Sequence, residues 1–260
     1  MAPALYARDG DRYIPSEHTR GPWVPDAQHG GAPAALLARA MEALPADTPM
    51  AIARFTLEIL RPVPLTPLTV SAGIERPGRR VQLVSGSLHA GETELCRARA
   101  WRIRDADLGD TVPDEWGLPF NGPEMATPHE PENGEPAFHR TGVELRFVRG
   151  SFWEIGPSTV WIRLRLPVVE DEEPSPVMRV LAAADFGNGV AAALEWGRFL
   201  YINTDLAAYL YRQPEGEWIC LDATTHASRH GVGIAESALY DSRGPIGRSM
   251  QTLFVDELQR

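Results

Sequence analysis

Arg61, Leu88 and Arg97 recur as Arg212, Leu239 and Arg248, each 151 residues further along the chain. The spacing holds without a gap from 61–103 to 212–254. Few residues are identical, but the same elements recur in the same order. In the first half a helix, "GGAPAALLARAMEAL" (30–44), precedes the strand-like runs "AIARFTLEILRPV", "LTVSAGIER", "RVQLVSGSLHA" and "ELCRARAWRIR". In the second half "SPVMRVLAAADF" (175–186) precedes "RFLYINTDLAAYLYRQP", "EWICLDATTHAS", "GVGIAESALYD" and "GPIGRSMQTLFV". A repeat of this length sets the architecture before any single residue does. The strands alternate apolar and polar side chains with period 2, which marks antiparallel pairing. The expected fold is α+β, built as two tandem units over 1–104 and 140–260. The stretch 105–139, rich in Pro, Gly and acid and without any period, reads as their connector. The bland alternative is two unrelated α+β segments whose spacing coincides.

Composition excludes several chemistries. Of 260 residues, 43% are hydrophobic and 23% charged, so there is ample material for a core. The net charge of −10 argues against a nucleic-acid partner, because phosphate binding needs a basic surface. All 25 basic residues are arginine, so Schiff-base catalysis and a lysine-bearing phosphate loop are ruled out. Cys96 and Cys220 stand far apart and read as two buried free thiols rather than a disulfide. The histidines have no metal-ligand spacing, so no metal and no cofactor are expected. No Gly-x-Ser-x-Gly elbow supports a serine triad. The polar N-terminus does not read as a signal peptide, and no run approaches the roughly 20 apolar residues of a membrane span. The expectation is a cytoplasmic protein.

One segment breaks the pattern of a core. "LAAADFGNGV" (181–190) is nearly all small and apolar, yet Asp185 stands in its middle. An unpaired charge is costly to desolvate, so the carboxylate needs a reason to be there. Ser175 is the expected N-cap of this helix, Pro176 its first residue, and Gly187 or Gly189 its end. In the first unit, His29, Gly30 and Gly31 open the helix. Backbone N–H groups there can polarise a carbonyl, so these three are the substrate-binding candidates; a tight entry turn is the alternative. Arg97 and Arg99 offer either a patch for phosphates or a solvated strand face, and "EDEE" (170–173) reads as a solvated loop.

The segments "HGGAPAALLARA" (29–40), "LAAADFGNG" (181–189), "INTDLAAYLYRQPEGEWICLDATT" (202–225) and "GRSMQTLFV" (247–255) resemble the acyl-CoA thioesterase II type of the thioesterase-like superfamily. The resemblance covers most of the chain outside the connector. It implies a double hotdog, in which each unit wraps a curved antiparallel sheet around one long helix. It implies hydrolysis of an acyl-CoA to free acid and CoA by a water held by an Asp, a Thr and a Gln. Those roles fall on Asp185, Thr204 and Gln251. A homo-oligomer, dimer or larger, is implied as well.

The residues support this in part. By strand parity Thr204 shares a face with Leu206, Ala208 and Leu210, and Gln251 with Leu253 and Val255, so both are expected to point inward. Asp185 lies one helical turn beyond Leu181 on an apolar stripe. Each also has a structural alternative: a cap for Asp185, strand propensity for Thr204, and a buried backbone partner for Gln251. In the first unit the equivalents of Thr204 and Gln251 are Ala53 and Ala100, and Asp185 falls on Ala34 or Ala38. One complete set per chain is therefore expected. Two other readings stay open, a non-catalytic acyl-CoA binder and a hotdog enoyl-CoA hydratase. The hydratase needs a His close to the Asp, and none follows Asp185 before His226.

Overall fold

The computed structural model describes residues 3–109, 112 and 116–258. Two short strands come first, β1 (Tyr6–Asp9) and β2 (Arg12–Pro15). Helix α1 (Gly31–Glu42) follows, then β3 (Met50–Ile59), β4 (Leu68–Arg76), β5 (Val81–Ala90) and β6 (Thr93–Arg104). The two-residue β7 (Thr127–Pro128) and a π-helical turn over Phe138–Gly142 lead into β8 (Val143–Arg149) and β9 (Ser158–Leu164). Helix α2 (Pro176–Ala184) and the single turn α3 (Gly187–Val190) precede β10 (Phe199–Asn203) and β11 (Asp205–Leu210). Strands β12 (Ile219–Ala227), β13 (Val232–Asp241) and β14 (Gly244–Glu257) complete the fold.

These strands join one antiparallel sheet in the order β1-β2-β4-β5-β6-β3-β11-β14-β13-β12-β9-β8-β7, with β10 on β14. The order mirrors itself about the β3–β11 contact, where Asp205 faces Glu58 and Tyr209 faces Arg54. The step that carries Leu68 to Ile219 also carries Arg76 to Ala227, Val81 to Val232, Ala90 to Asp241 and Thr93 to Gly244. The sequence repeat is thus a repeat of strand boundaries. The fold is the expected α+β double hotdog, with two helices held inside one continuous curved sheet.

Side-chain size decides where the helices go. Helix α1 lies against β4, β5 and α2, while α2 lies against β9, β12 and α1. Ala32, Ala34, Ala35, Leu36, Leu37 and Ala38 are all fully buried, which an exposed helix would not tolerate. The two helices run antiparallel and close together. A Cβ on Gly31 would come within 2.6 Å of the Ala182 carbonyl oxygen, so glycine is required there. At the far end, Ser175 caps α2 by accepting the Met178 N–H at 3.1 Å and donates its own hydroxyl to Glu42 at 2.6 Å. The "EDEE" loop is tied down rather than freely solvated: Glu172 takes Arg39 of α1, and Glu170 accepts the Arg8 N–H at 2.7 Å.

The β13–β14 turn is held by one buried carboxylate. Asp241 is fully buried and takes both terminal nitrogens of Arg212 at 2.5 and 2.6 Å. The backbone N–H groups of Glu215, Arg243 and Gly244 donate to it at 2.8, 2.9 and 3.1 Å. Burial pushes this carboxyl up, but the Arg212 and backbone donors outweigh it and hold it below its ordinary 3.8. A depressed carboxylate stabilises the fold above its ordinary value and loses that contribution as the pH falls through the folded value. Asp241→Asn is expected to destabilise the fold by about 3 kcal/mol in urea unfolding at neutral pH, because it removes the buried charge that faces the half-buried Arg212. The gap between wild type and variant should narrow below about pH 3.8.

Candidate active site

The antiparallel helix pair brings the start of α1 against the end of α2. Asp185 is the C-cap residue of α2 and is buried, with 3% of its surface exposed. Its charge is met by donors from three other segments. His29 Nδ1 lies 2.8 Å from Oδ2. Asn203 Nδ2 donates to Oδ1 at 2.8 Å, and Gln251 Nε2 donates to Oδ1 and to the Asp185 carbonyl, both at 3.2 Å. Gln251 Oε1 in turn accepts the Asn188 N–H at 3.2 Å, which ties the carboxylate to α3. Gly30 lies so close that a Cβ there would be 2.9 Å from Oδ2 and 3.0 Å from Oδ1. The two glycines after His29 therefore have separate reasons. Gly31 admits the neighbouring helix, and Gly30 admits the carboxylate.

His29 Nδ1 lies between two neighbours, the Asp185 carboxylate at 2.8 Å and the Gly31 N–H, which donates to it at 3.2 Å. The ring is held between Phe186 and Phe138, at centroid distances of 4.4 and 5.0 Å. Nε2 carries no hydrogen bond among the described residues.

The site opens on a cavity of about 310 Å³ lined mostly by apolar side chains. His29, Gly30, Asp185 and Asn203 stand on its wall, Cys96 and Phe186 line it further, and Arg61 and Thr204 are exposed at its rim. One side is aromatic. Trp23 and Trp196 stack at 4.7 Å, and Phe152 lies nearly parallel to Trp196. His139 is also on this wall; burial, then the charges of His29 and Arg140, push it down to about 4, so it is neutral at ordinary pH. Burial and the nearby charge of Asp185 push the Cys96 thiol up to about 12. Cys96 and Cys220 are both free and buried, as the sequence indicates.

The structure gathers Asp185, Gln251, His29, Gly30 and Gly31 at one place, and it leaves Thr204 at the rim of the cavity, without a contact to Asp185. Thr204 is exposed, and its hydroxyl reaches only the Thr252 carbonyl at 3.4 Å. Parity fails because the strand is not continuous. Asn203 faces Leu253 and Ala207 faces Met250, so four steps of one strand oppose three of the other. This one-residue bulge turns Thr204 outward and Asn203 inward. It is pinned by the Thr204 N–H on the Thr252 carbonyl and by Asp205, which accepts the Thr252 N–H at 2.7 Å. Asn203 is thus a site residue that alternation along the strand conceals. The helix end also differs from expectation. The helix stops at Asp185, and Gly187 instead gives room to Gln251, whose Oε1 would lie 2.9 Å from a Cβ there.

His29 is the larger surprise, because it crosses from the first unit to meet a carboxylate of the second. The site belongs to both units. Arg97 and Arg99 take the solvated reading, exposed and paired with Glu94 at 2.6 Å and Glu75 at 3.1 Å. Among the described residues no cluster of His, Cys, Asp and Glu could hold a metal ion, and no helix is long and apolar enough to cross a membrane.

Comparison with known proteins agrees with this architecture. Residues 19–103 match the acyl-CoA thioesterase N-terminal domain, and residues 119–255 match the acyl-CoA thioesterase C-terminal domain. No curated protein matches the chain in sequence. Among solved structures, a Thermobifida fusca protein described as a thioesterase II is similar over 96% of this chain and 95% of its own, with TM-score 0.74 and 17% identity. A hot dog fold protein of Alicyclobacillus acidocaldarius has TM-score 0.74 and 15% identity, over 98% and 96% of the two chains. An acyl-CoA thioesterase II of Mycobacterium marinum has TM-score 0.66 and 13% identity, over 96% and 95%. At such identities the structures share a fold, whereas the two domain matches together span most of the sequence: the chain belongs to the acyl-CoA thioesterase family, with that family's N- and C-terminal domains in one polypeptide.

Proposed function

We propose that this chain hydrolyses an acyl-CoA thioester to the free acid and CoA, using a water bound beside Asp185. The observation that carries the reading is a buried carboxylate at the wall of an apolar cavity, facing the first turn of a helix. The cavity takes the acyl group. Gly30, at the N-terminus of α1, lines this cavity, and the positive end of the helix dipole there favours the charge that the thioester oxygen gains. The negative charge of Asp185 draws a proton from the attacking water, and Asn203 and Gln251 keep that carboxylate aimed. Arg61 at the rim is a cation within reach of a CoA phosphate, which an acidic protein needs locally.

The test is a panel of acyl-CoA esters of increasing length, read by thiol release. Steady release by the wild type is expected for at least one member, while binding with no release would make the chain an acyl-CoA binder. Asp185→Asn keeps the shape and removes the charge, and it should lower kcat by about 10²–10⁴-fold with acyl-CoA still bound. Gln251→Ala should cost less, because Asn203 still holds the carboxylate. The His29–Asp185 contact also gives hydration of an enoyl-CoA a structural basis. Loss of the enoyl chromophore without thiol release would favour that second reading.

The bulge makes a sharper prediction. Asn203→Ala should reduce kcat by at least about 10-fold, the factor set by loss of roughly 1.4 kcal/mol from one hydrogen bond to a charged group. Thr204→Ala should leave kcat within about twofold of wild type. Kinetics on both variants at saturating substrate decide the assignment; equal losses at both positions would contradict it.

A further inference from the structure

A fatty chain needs only an apolar wall, and aliphatic side chains supply one. One side of this cavity is instead built from rings, His139, Phe152, Trp196 and Trp23. They follow one another as nearly parallel plates. His139 and Phe152 lie at 5.7 Å and 20°, Phe152 and Trp196 at 6.4 Å and 13°, and Trp196 and Trp23 at 4.7 Å and 17°. Neighbouring rings lock these planes. Trp153 meets Phe152 edge-on at 72°, Tyr201 meets Trp23 at 76°, and His129 stacks on Phe152 at 5.1 Å. The series starts beside the carboxylate: the charge of His29 is felt at His139, and His29 Nδ1 is 2.8 Å from Asp185. His139 is neutral, so this part of the wall carries no charge. The cavity, about 310 Å³, lies near the lower end of ligand pockets, roughly 300–1,000 Å³.

We infer that the acyl group taken by this cavity is a flat aromatic one on a short tether, and that Trp196, Phe152 and Trp23 set the preference. The inference rests on the thioesterase reading above and names the substrate class of that site. A flexible alkyl chain gains from burial against any apolar wall. A flat ring gains the same burial and, in addition, stacking or edge contacts that only other rings provide. Planes that are already fixed make these contacts without the cost of ordering the wall on binding. A ring one or two carbons from the carbonyl needs no more space than the cavity offers, whereas a long chain has to leave it. The wall acts on the acyl group and not on the reacting atoms, so Asp185, Asn203 and Gln251 keep the roles given above.

The same substrate carries a second flat group, the adenine of CoA. Two observations assign the wall to the acyl group. The wall begins next to His29 and Asp185, while adenine stands at the far end of CoA, beyond the pantetheine arm and the phosphates. Phe152 is also 5% exposed, whereas Arg61, the cation for a CoA phosphate, is exposed at the rim.

The experiment measures kcat/KM by thiol release for phenylacetyl-, 3-phenylpropionyl-, octanoyl- and palmitoyl-CoA. Phenylacetyl and octanoyl have the same number of carbons, so their ratio compares ring with chain. At least one aryl ester is expected to exceed octanoyl-CoA by about 10-fold, the scale of one favourable aromatic contact, and palmitoyl-CoA by more. The preference should persist on the corresponding pantetheine thioesters, which lack adenine. Trp196→Leu and Trp23→Leu should each lower the aryl-to-octanoyl ratio, and thermal unfolding of both variants separates a lost preference from a lost fold. The wild-type panel needs no variant: equal values for aryl and octanoyl esters, or a preference for palmitoyl-CoA, would overturn the inference. An unchanged ratio in two folded variants would overturn it as well. So would a Trp196→Leu loss shared by all CoA esters and absent from the pantetheine esters, which would give the wall to adenine. A wild type that releases no thiol from any ester would remove the thioesterase reading by itself. Equilibrium binding of phenylacetyl-CoA and octanoyl-CoA would then test the wall, with tighter aryl binding supporting the inference and equal binding overturning it.

Discussion

The close approach of the two central helices governs the rest of this molecule. It exists because position 31 has no side chain: any Cβ would strike the Ala182 carbonyl oxygen. Once α1 and α2 lie that close and antiparallel, the first turn of one faces the last residue of the other. That residue is Asp185. The positive end of the α1 dipole then meets a carboxylate, an arrangement worth up to about 2 kcal/mol in partly buried geometry. The dipole alone does not cover the several kcal/mol that a buried ion loses on leaving water. Asn203, Gln251 and His29 supply the rest of the compensation, and each comes from a different part of the chain.

The same packing creates a second helix junction at the opposite end of the pair, and its contents differ. There Glu42 of α1 accepts the Ser175 hydroxyl at the start of α2. Burial pushes the Glu42 carboxyl up, and the Ser175 bond and the Arg102 charge act the other way. Arg102 is itself buried and donates to the Leu44 carbonyl at 2.9 Å. An arginine side chain fills this end, whereas the Asp185 end carries a cavity. The repeat positions tell the same story: Ala53 and Ala100 stand where the second unit has Thr204 and Gln251, and Ile52 stands where it has Asn203. Duplication supplied two frames, and polar residues converge on a cavity in one.

This division explains how much could be read from the sequence. Strand boundaries follow alternation, and alternation survives duplication, so β4, β5 and the start of β6 predict β12, β13 and the start of β14 residue for residue. Asp185 and Gln251 were legible because each is a polar residue on an apolar face. Thr204 was misplaced because parity presumes an unbroken strand, and nothing in "YINTDL" announces the extra residue that turns Asn203 inward. The His29–Asp185 contact was illegible for a different reason. It joins residues 156 positions apart through a helix crossing, and sequence spacing within one unit carries no trace of it. A search for a histidine near Asp185 along the chain was therefore a search in the wrong dimension.

The chemistry of the cavity narrows the choice of nucleophile. Cys96 is the one thiol on its wall, and covalent catalysis would need it as thiolate. Burial works against that, and the negative charge of Asp185 works against it further, so the thiol is held near 12 and stays protonated at neutral pH. The chain has no lysine to offer an amine. The carboxylate that suppresses the thiol is the one that the proposed reading sets beside the attacking water. One charge thereby disfavours an acyl-enzyme route and favours activation of water, and on the proposed reading this is why Asp185 stands in an otherwise apolar helix.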